Sequence, residues 1–203
     1  MAPVVVKLGG SFAFSGVLTD WIGALASCAG SVVIVPGGGP FADAVRHAQC
    51  RMGFDDRAAH NMSLLAMEQY GLAIISFDDL LSPAHTVEAI ERHLAARQVP
   101  VWMPMRMVSM TPDIAPSWKV TSDSLAAWLC SRVGADRLIL VKHAGLLSGP
   151  ARCEDLVAMG LVDEAFPRYL RMSSISASIM GHAEHAAAVT AIRSGALPGF
   201  SIK

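Results

Sequence analysis

Two glycine clusters, each following a short apolar run, could build a phosphate site. Residues 7–11 read Lys-Leu-Gly-Gly-Ser, and residues 36–40 read Pro-Gly-Gly-Gly-Pro. Because glycine lacks a Cβ, the backbone N–H groups of such loops can converge on phosphate oxygens. The second loop also leads into a predicted helix, whose free N–H groups and dipole favour an anion. Either loop alone could be a tight strand-to-helix turn, but the pair favours an anion site.

Two lysines and one aspartate could complete this site. Lys7 interrupts the apolar run at residues 4–8, and since an unpaired ammonium is costly to bury, it should point at an anion. Lys142 follows the apolar run at residues 138–141 in the same way. Asp123 falls in the first turn of a predicted helix, where it could orient the lysines or a metal beside a transferring phosphate. The alternatives are a lysine that reaches solvent at position 7 and a carboxylate that only complements the helix dipole at position 123.

The histidines are weaker candidates. His60 shares a predicted helical face with Leu64 and Met67, a pattern typical of a core residue. Contact with an acceptor is the alternative, because this helix follows the second glycine loop. His182 and His185 have no third ligand close in sequence, whereas zinc normally takes three or four protein ligands. We therefore predict no metal site built from side chains.

Apolar strand-like runs alternate with helical segments along the chain, which predicts an α/β fold with a mainly parallel central sheet sandwiched by helices. The expected strands are residues 4–8, 32–35, 73–76, 99–103 (with 108 as an alternative end), 137–141, 175–179 and 200–202. The expected helices are residues 17–28, 40–52, 55 or 56 to 70, 86–97, 121–133, 154–159, 163–170 and 182–193. We predict a single domain over residues 1–203, with a loop at 110–117 joining lobes at 1–115 and 116–203.

The composition limits the partners that the chain could have. Of its 203 residues, 53% are hydrophobic and 16% are charged, and the formal net charge is −1. Such a chain lacks the basic surface that nucleic acid requires, and no apolar run approaches the roughly 18 residues of a membrane span. Without a predicted signal peptide or CxxC pair, we expect a cytoplasmic protein with reduced thiols. The low charge predicts apolar surface shared between subunits, in a dimer or a ring of dimers.

The segments VVVKLGGS, VIVPGGGPFAD and VTSDSLAAWL, followed by LILVK, together resemble the amino acid kinase family. They occur in the family's order between residues 4 and 142, and the ordered set is far more specific than any one segment. The resemblance implies a mainly parallel sheet between helices, an acceptor bound by the N-terminal half and a nucleotide bound by the C-terminal half. It also implies transfer of phosphate from ATP, with Mg²⁺, to a small anionic molecule.

Carried over to this chain, the resemblance gives the candidate residues their roles. Lys7 would contact the transferring phosphoryl group, and Asp123 would organise the lysines. Lys142, a second lysine at the carboxyl end of a predicted strand, is our own candidate for the third catalytic residue. The residues expected to bind the nucleotide are Gly9, Gly10, Ser11, Thr121 and Ser122. The residues expected to bind the acceptor are Gly37, Gly38, Gly39 and His60.

The nucleotide side departs from the family pattern. Many members have Thr-Asp-x-Asp-Gly after the strand on this side, where this chain reads Val141-Lys142-His143-Ala144-Gly145. Many also have a Gly-Gly-Met segment with a downstream lysine, which this chain lacks. Lys142 would then replace the missing lysine.

A short subgroup of the family looks closer to this chain. The compact length, SDSLAAWL followed by LILVK, and the late segment Gly160-Leu161-Val162-Asp163 are similar to the kinases proposed to act on aminomethylfuranmethyl phosphate. Those kinases serve the synthesis of methanofuran-type cofactors in one-carbon metabolism. The similarity implies phosphoryl transfer from ATP to a phosphate monoester, which gives a diphosphate.

Two other classes of protein remain compatible with the sequence. A ligand-binding or storage protein on the same fold, with catalysis lost, would explain the altered segment at residues 141–145. A regulator that acts through subunit interfaces would explain the low charge. Turnover of ATP with a phosphorylated acceptor distinguishes the kinase from a binding or storage protein. An assembly without nucleotide affinity would indicate the regulator.

Overall fold

A computed structural model of the chain describes residues 2–142 and 149–203. The strands in these residues form one sheet in the order β3-β4-β2-β1-β5-β6-β7. Neighbouring strands are parallel except for β7, which runs antiparallel to β6. The strands are β1 (Val4–Leu8), β2 (Val32–Pro36), β3 (Leu81–Ala84), β4 (Val99–Trp102), β5 (Arg137–Val141), β6 (Ser176–Met180) and β7 (Phe200–Ile202).

Helices cover both faces of this sheet. Because successive side chains of a strand point to opposite faces, Val5 belongs to one core and Val4 and Val6 belong to the other. Helices α6 and α8 pack into the first core, and α1 and α9 pack into the second. The helices are α1 (Val17–Ala26), α2 (Gly39–Met52), α3 (Asp56–Ile75), α4 (Val87–Ala95), α5 (Met105–Ser109), α6 (Ser122–Val133), α7 (Cys153–Ala158), α8 (Phe166–Ser173) and α9 (His185–Ser194). The predicted α/β sandwich is confirmed.

Within the described ranges, no helix combines the length and the apolar character that crossing a membrane would take.

The strand predicted at residues 73–76 is wrong, because α3 continues to Ile75. Ile74 is fully buried whereas Leu72 is 59% exposed, and in a strand these two side chains would share one face. Gly71, expected to follow the helix, lies inside it, against the side chain of Met103. Strand β3, which contains Pro83, was not predicted from the sequence. Proline is tolerated there because β3 is an edge strand.

The possible extension of the fourth strand to Val108 is also wrong. Met105–Ser109 forms the short helix α5, which begins directly after Pro104. Proline has no N–H group to donate to a neighbouring strand, so it favours the end of β4 at this point.

The parallel register brings the candidate residues to one edge of the sheet. Lys7 of β1 lies between Val35 of β2 and Leu140 of β5. The glycine loops after β1 and β2, and Lys142 after β5, therefore leave the sheet at the same edge. Open α/β sheets bind ligands at the carboxyl ends of their strands, so this edge is where a functional site is expected.

Candidate active site

Lys7, Asp123 and Lys142 meet in one buried ionic cluster. Nζ of Lys7 lies 2.8 Å from Oδ1 of Asp123, and Nζ of Lys142 donates a 2.7 Å hydrogen bond to Oδ2. The side chains of Lys7 and Asp123 are each 5% exposed, and that of Lys142 is 16% exposed. The Lys7 contact is an ion pair without good hydrogen-bond alignment. One carboxylate thus bridges two ammonium groups, and the charged cluster is net positive.

Burial and charge act in opposite directions on this cluster. Burial would raise the pKa of the Asp123 carboxyl, but the charges of Lys7 and Lys142 outweigh it and lower the pKa to about 2. For Lys142, burial and the repulsion of Lys7 outweigh the attraction of Asp123, and its pKa falls to about 8. Asp123 is therefore ionised at neutral pH, while Lys142 loses its charge as the pH rises through about 8.

Regular structure positions each member of the cluster. Lys7 belongs to the buried strand β1, and Asp123 lies in the first turn of α6, which packs on that strand. Lys142 follows β5, and its backbone N–H donates to the carbonyl of Met180 at the end of β6. Side chains on strands and helices are held more accurately than side chains on loops, so the cluster is preorganised.

The two glycine loops pack backbone against backbone. A Cβ on Gly10 would collide with the backbone nitrogen of Gly39, and one on Gly37 would lie 2.6 Å from the nitrogen of Gly10. Gly39 also adopts a φ of +54°, which side chains disfavour. Each loop therefore fixes the conformation of the other, and the glycines leave room for a neighbouring backbone as well as for a ligand.

Gly9 has a different position from the other loop glycines. Its N–H donates a 3.3 Å hydrogen bond to the carbonyl of Val141, and a Cβ here would lie 3.1 Å from that oxygen. Gly9 therefore connects the first loop to β5 by a hydrogen bond, and it does not line the cavity described next.

A cavity of about 290 Å³ lies against the glycine loops and the beginnings of α2 and α6. The site residues predicted from the sequence that line it are Gly10, Ser11, Gly37, Gly38, Gly39, His60, Thr121 and Ser122. This set mixes residues expected to bind the nucleotide with residues expected to bind the acceptor. The hydroxyl of Thr121 is engaged, since it donates to Asp163 over 2.8 Å. The glycine loops thus face a single space, and Ser122 connects that space in sequence to Asp123.

His60 is buried on α3 and lines this cavity. Burial lowers the pKa of its imidazole below the ordinary 6.5, so the ring is neutral at pH 7. A neutral imidazole offers one donor and one acceptor nitrogen. His60 can therefore form a hydrogen bond with a ligand without adding charge.

The cavity is also lined by Arg46, Asp43 and Trp118, which were not predicted from the sequence. The guanidinium carbon of Arg46 lies 4.5 Å from the centre of the Trp118 ring, and its Nη1 lies 2.9 Å from Oδ1 of Asp43. The indole N–H of Trp118 donates to Gln49 over 2.7 Å. Helical spacing could have indicated Arg46 and Asp43, because positions 39, 43 and 46 share one face of α2.

The segment His143-Ala144-Gly145, where the chain departs from the family pattern, lies outside the described residues. Within residues 2–142 and 149–203, no group of three His, Cys, Asp or Glu side chains could hold a metal ion. Asp123, considered above as a metal ligand, directs both carboxylate oxygens at lysines.

Comparison with known proteins agrees with this architecture. Residues 2–198 match the amino acid kinase family. A curated relative, the [5-(aminomethyl)furan-3-yl]methyl phosphate kinase of Methanocaldococcus jannaschii, is 23% identical over 189 residues, which cover 87% of this chain and 86% of the relative.

Among solved structures, the uridylate kinase from Archaeoglobus fulgidus has a TM-score of 0.73 and 18% identity, with both chains fully covered. The UMP kinase from Bacillus anthracis has a TM-score of 0.73 and 16% identity, covering 100% of this chain and 96% of that one. These likenesses show the same fold. Because the family match extends over nearly the whole sequence, the chain belongs to the amino acid kinase family.

Proposed function

We propose that the protein is an ATP-dependent phosphotransferase that acts on a small anionic acceptor. The observation that carries this proposal is the net positive charge of the buried cluster of Lys7, Asp123 and Lys142 beside the glycine loops. A buried charge without compensation is costly, and a phosphoryl group in transfer supplies the missing negative charge. Its oxygens would meet two ammonium groups that Asp123 already holds in place.

In this proposal, Lys7 and Lys142 contact oxygens of the transferring phosphoryl group, and Asp123 fixes the distance between them. Asp123 acts as an orienting charge, because a carboxyl with a pKa of about 2 is a poor proton acceptor at neutral pH. No general base is needed if the attacking atom is an oxygen of an acceptor phosphate, which is already ionised at pH 7.

We propose a phosphate monoester as the acceptor. Helix α2 begins with no side-chain cap and no acidic residue in its first turn, so its N–H groups near Gly38 and Gly39 are suited to a phosphate. The rest of the cavity offers apolar side chains, the ring of Trp118 and the ion pair of Asp43 with Arg46. The curated relative is named for a phosphate that also carries a furan ring and an aminomethyl group. Trp118 suits the ring, and Oδ2 of Asp43, to which Arg46 does not donate, suits the amine, which favours aminomethylfuranmethyl phosphate.

An oxygen of the acceptor phosphate attacks the γ-phosphorus of ATP, and the bond from that phosphorus to the β–γ bridging oxygen breaks. ADP leaves with the electron pair, and the product is the diphosphate of the acceptor. ATP would arrive as its magnesium complex, since Mg²⁺ is commonly held by substrate phosphates and water.

We retain the acceptor lobe at residues 1–115 and the nucleotide lobe at residues 116–203 as part of this proposal. One adjustment is that residues of the nucleotide lobe, among them Trp118, Thr121 and Ser122, also line the cavity assigned to the acceptor. Gly10 and Ser11 then lie where the phosphate passes between donor and acceptor.

The test is transfer of labelled γ-phosphate from magnesium ATP to aminomethylfuranmethyl phosphate, to its analogue without the amine, and to UMP. We expect labelled diphosphate, made fastest from the first acceptor and formed at least about 10²-fold more slowly by a Lys7→Met variant. Binding of ATP and acceptor without turnover would favour the alternative of a ligand-binding or storage protein. Faster transfer to UMP would overturn the proposed acceptor while keeping the kinase activity.

We also propose a homo-oligomer, as the low charge of the sequence predicts. Met62, Leu65 and Leu72 are 38%, 45% and 59% exposed and share one side of α3. Light scattering should give a multiple of the single-chain mass, and Leu65→Glu should lower it. A wild-type mass equal to one chain would contradict the proposal.

A further inference from the structure

Asp163 lies between α7 and α8 but binds the beginning of α6, 39 to 42 residues earlier in sequence. Its Oδ2 accepts hydrogen bonds from the backbone N–H of Thr121 and of Ser124, each over 3.0 Å, and from the Thr121 hydroxyl over 2.8 Å. Its Oδ1 accepts a hydrogen bond from the hydroxyl of Ser124. One carboxylate thus holds two residues that flank Asp123.

This arrangement replaces the usual cap of a helix. Thr121 is the N-cap residue of α6, but its side chain accepts no capping hydrogen bond and donates to Asp163 instead. An N-cap normally satisfies the first free N–H groups of a helix with its own oxygen. Here a distant segment supplies that oxygen, so the position of the first turn depends on where the segment between α7 and α8 lies.

The same segment is attached to the chain just before α6. The backbone N–H of Ala165 donates to the carbonyl of Lys119 over 3.1 Å, and Glu164 forms an exposed ion pair with the Lys119 side chain. Contacts on both sides of Thr121 therefore fix the approach to Asp123. Asp163 itself makes no described contact with Lys7 or Lys142.

We propose that Asp163 is a positioning residue, which fixes the first turn of α6 so that the Asp123 carboxylate stays between Lys7 and Lys142. The inference rests on the proposed phosphotransfer, because it assigns Asp163 to the geometry of the same cluster. A misplacement of about 1 Å at such a site can cost on the order of 10²-fold in rate. Loss of the Asp163 contacts should therefore reduce kcat more than it raises KM.

Asp163→Asn is the main test, because it keeps the shape of the side chain while placing an amide among hydrogen-bond donors. Thr86→Ala is the matched control, since it removes the side-chain cap of α4, whose residues do not line the cavity. Both variants should lower the melting temperature. Only Asp163→Asn should lower kcat, by roughly 10- to 100-fold.

A second readout does not require activity. Lys142 is faced by Lys7 from β1 and by Asp123 from α6, and Asp123 raises its pKa. If Asp163→Asn releases Asp123, the Lys142 ammonium should titrate at lower pH, which NMR of ¹³C-labelled lysines can follow. The chain has four lysines, so Lys142→Arg assigns the signal and Lys203 serves as an internal reference.

These readouts separate the possible failures. An inactive wild-type protein with a shifted Lys142 titration in Asp163→Asn would overturn the phosphotransfer and support the positioning role. A lowered melting temperature with unchanged kcat and unchanged titration, as expected for Thr86→Ala, would make Asp163 only a cap. If Asp163→Asn does not fold, Ser124→Ala removes one of its bonds and should shift both readouts in the same direction. No shift in Ser124→Ala would overturn the proposal.

Discussion

The carboxyl edge of the sheet is built from backbone on one side and from charged side chains on the other. After β1 and β2, the loops interlock so closely that Gly10 and Gly37 have no room for a Cβ. Beside β1 and β5, the charged side chains of Lys7, Asp123 and Lys142 meet through carboxylate–ammonium contacts of 2.7 and 2.8 Å. The first side presents backbone N–H groups to a ligand, whereas the second presents charged side chains.

The two constructions should fail in different ways. A change on the backbone side alters the space and the loop packing, so it should affect acceptor binding and stability together. A change on the charged side alters the field at the transferring phosphoryl group, so it should affect rate and pH dependence. The proposed function requires both sides, and substitutions on each can test whether this division holds.

Removing Lys7 should have the largest effect. Lys7→Met keeps an unbranched side chain in β1 but leaves Asp123 paired with Lys142 alone, so the cluster loses its net positive charge. The rate of phosphoryl transfer should fall by about 10² to 10⁴, measured with labelled ATP. Lys203→Met is the control, because this exposed lysine follows β7 and does not line the cavity. Comparable loss of activity in both variants would refute a specific role for Lys7.

A methyl group on the backbone side should come next. In Gly10→Ala the added carbon would collide with the backbone of Gly39 and force the loops apart. We expect the unfolding free energy to fall by about 1–3 kcal/mol, and kcat/KM for the acceptor to fall on the order of 10²-fold. Gly23→Ala is the control, since nothing lies within 4 Å of the added carbon and alanine favours a helix interior. Unchanged acceptor kinetics in Gly10→Ala would break the comparison.

The charged side of the site could be predicted from the sequence better than the cavity beside the glycine loops. Lys7 lies near the end of one predicted strand, and Lys142 directly follows another. Because parallel strands have their carboxyl ends at one edge of the sheet, the two lysines could be placed together. Arg46 and Trp118 meet across separate elements, and no periodicity connects them. Asp163 could not be assigned for the same reason, since its partners lie 39 to 42 residues away. Strand β3 escaped prediction because a proline at a sheet edge looks like a turn.

Activity should fall by a moderate factor at alkaline pH, because a group on the charged side of the site loses its proton there. Burial and the charge of Lys7 lower the pKa of Lys142 to about 8 despite Asp123. Since the proposed contact of Lys142 with phosphate requires its charged form, kcat/KM, which reports the free enzyme, should decline as the pH rises past about 8 and be roughly tenfold lower one unit above the pKa. Asp123→Asn should move this decline to lower pH in any residual activity, because it removes the attraction that raises the pKa. A flat profile through pH 10 would exclude Lys142 as the charged group.

The smallest expected effect lies at the mouth of the cavity, where Arg46 stacks on Trp118. The ion pair between Arg46 and Asp43 joins side chains that are 52% and 64% exposed, and such pairs contribute little to stability. Arg46→Ala should therefore leave the melting temperature nearly unchanged. If the ring of the acceptor lies against Trp118, losing the stacked guanidinium should cost about 0.5–1 kcal/mol of binding, a roughly two- to fivefold rise in the acceptor KM.

Arg132→Ala provides a matched control, because Arg132 stacks on Trp128 at 5.0 Å and neither residue lines the cavity. An equal rise in both variants would mean that the effect is not local, whereas a fall in kcat at constant KM in Arg46→Ala would place Arg46 with the charged side of the site.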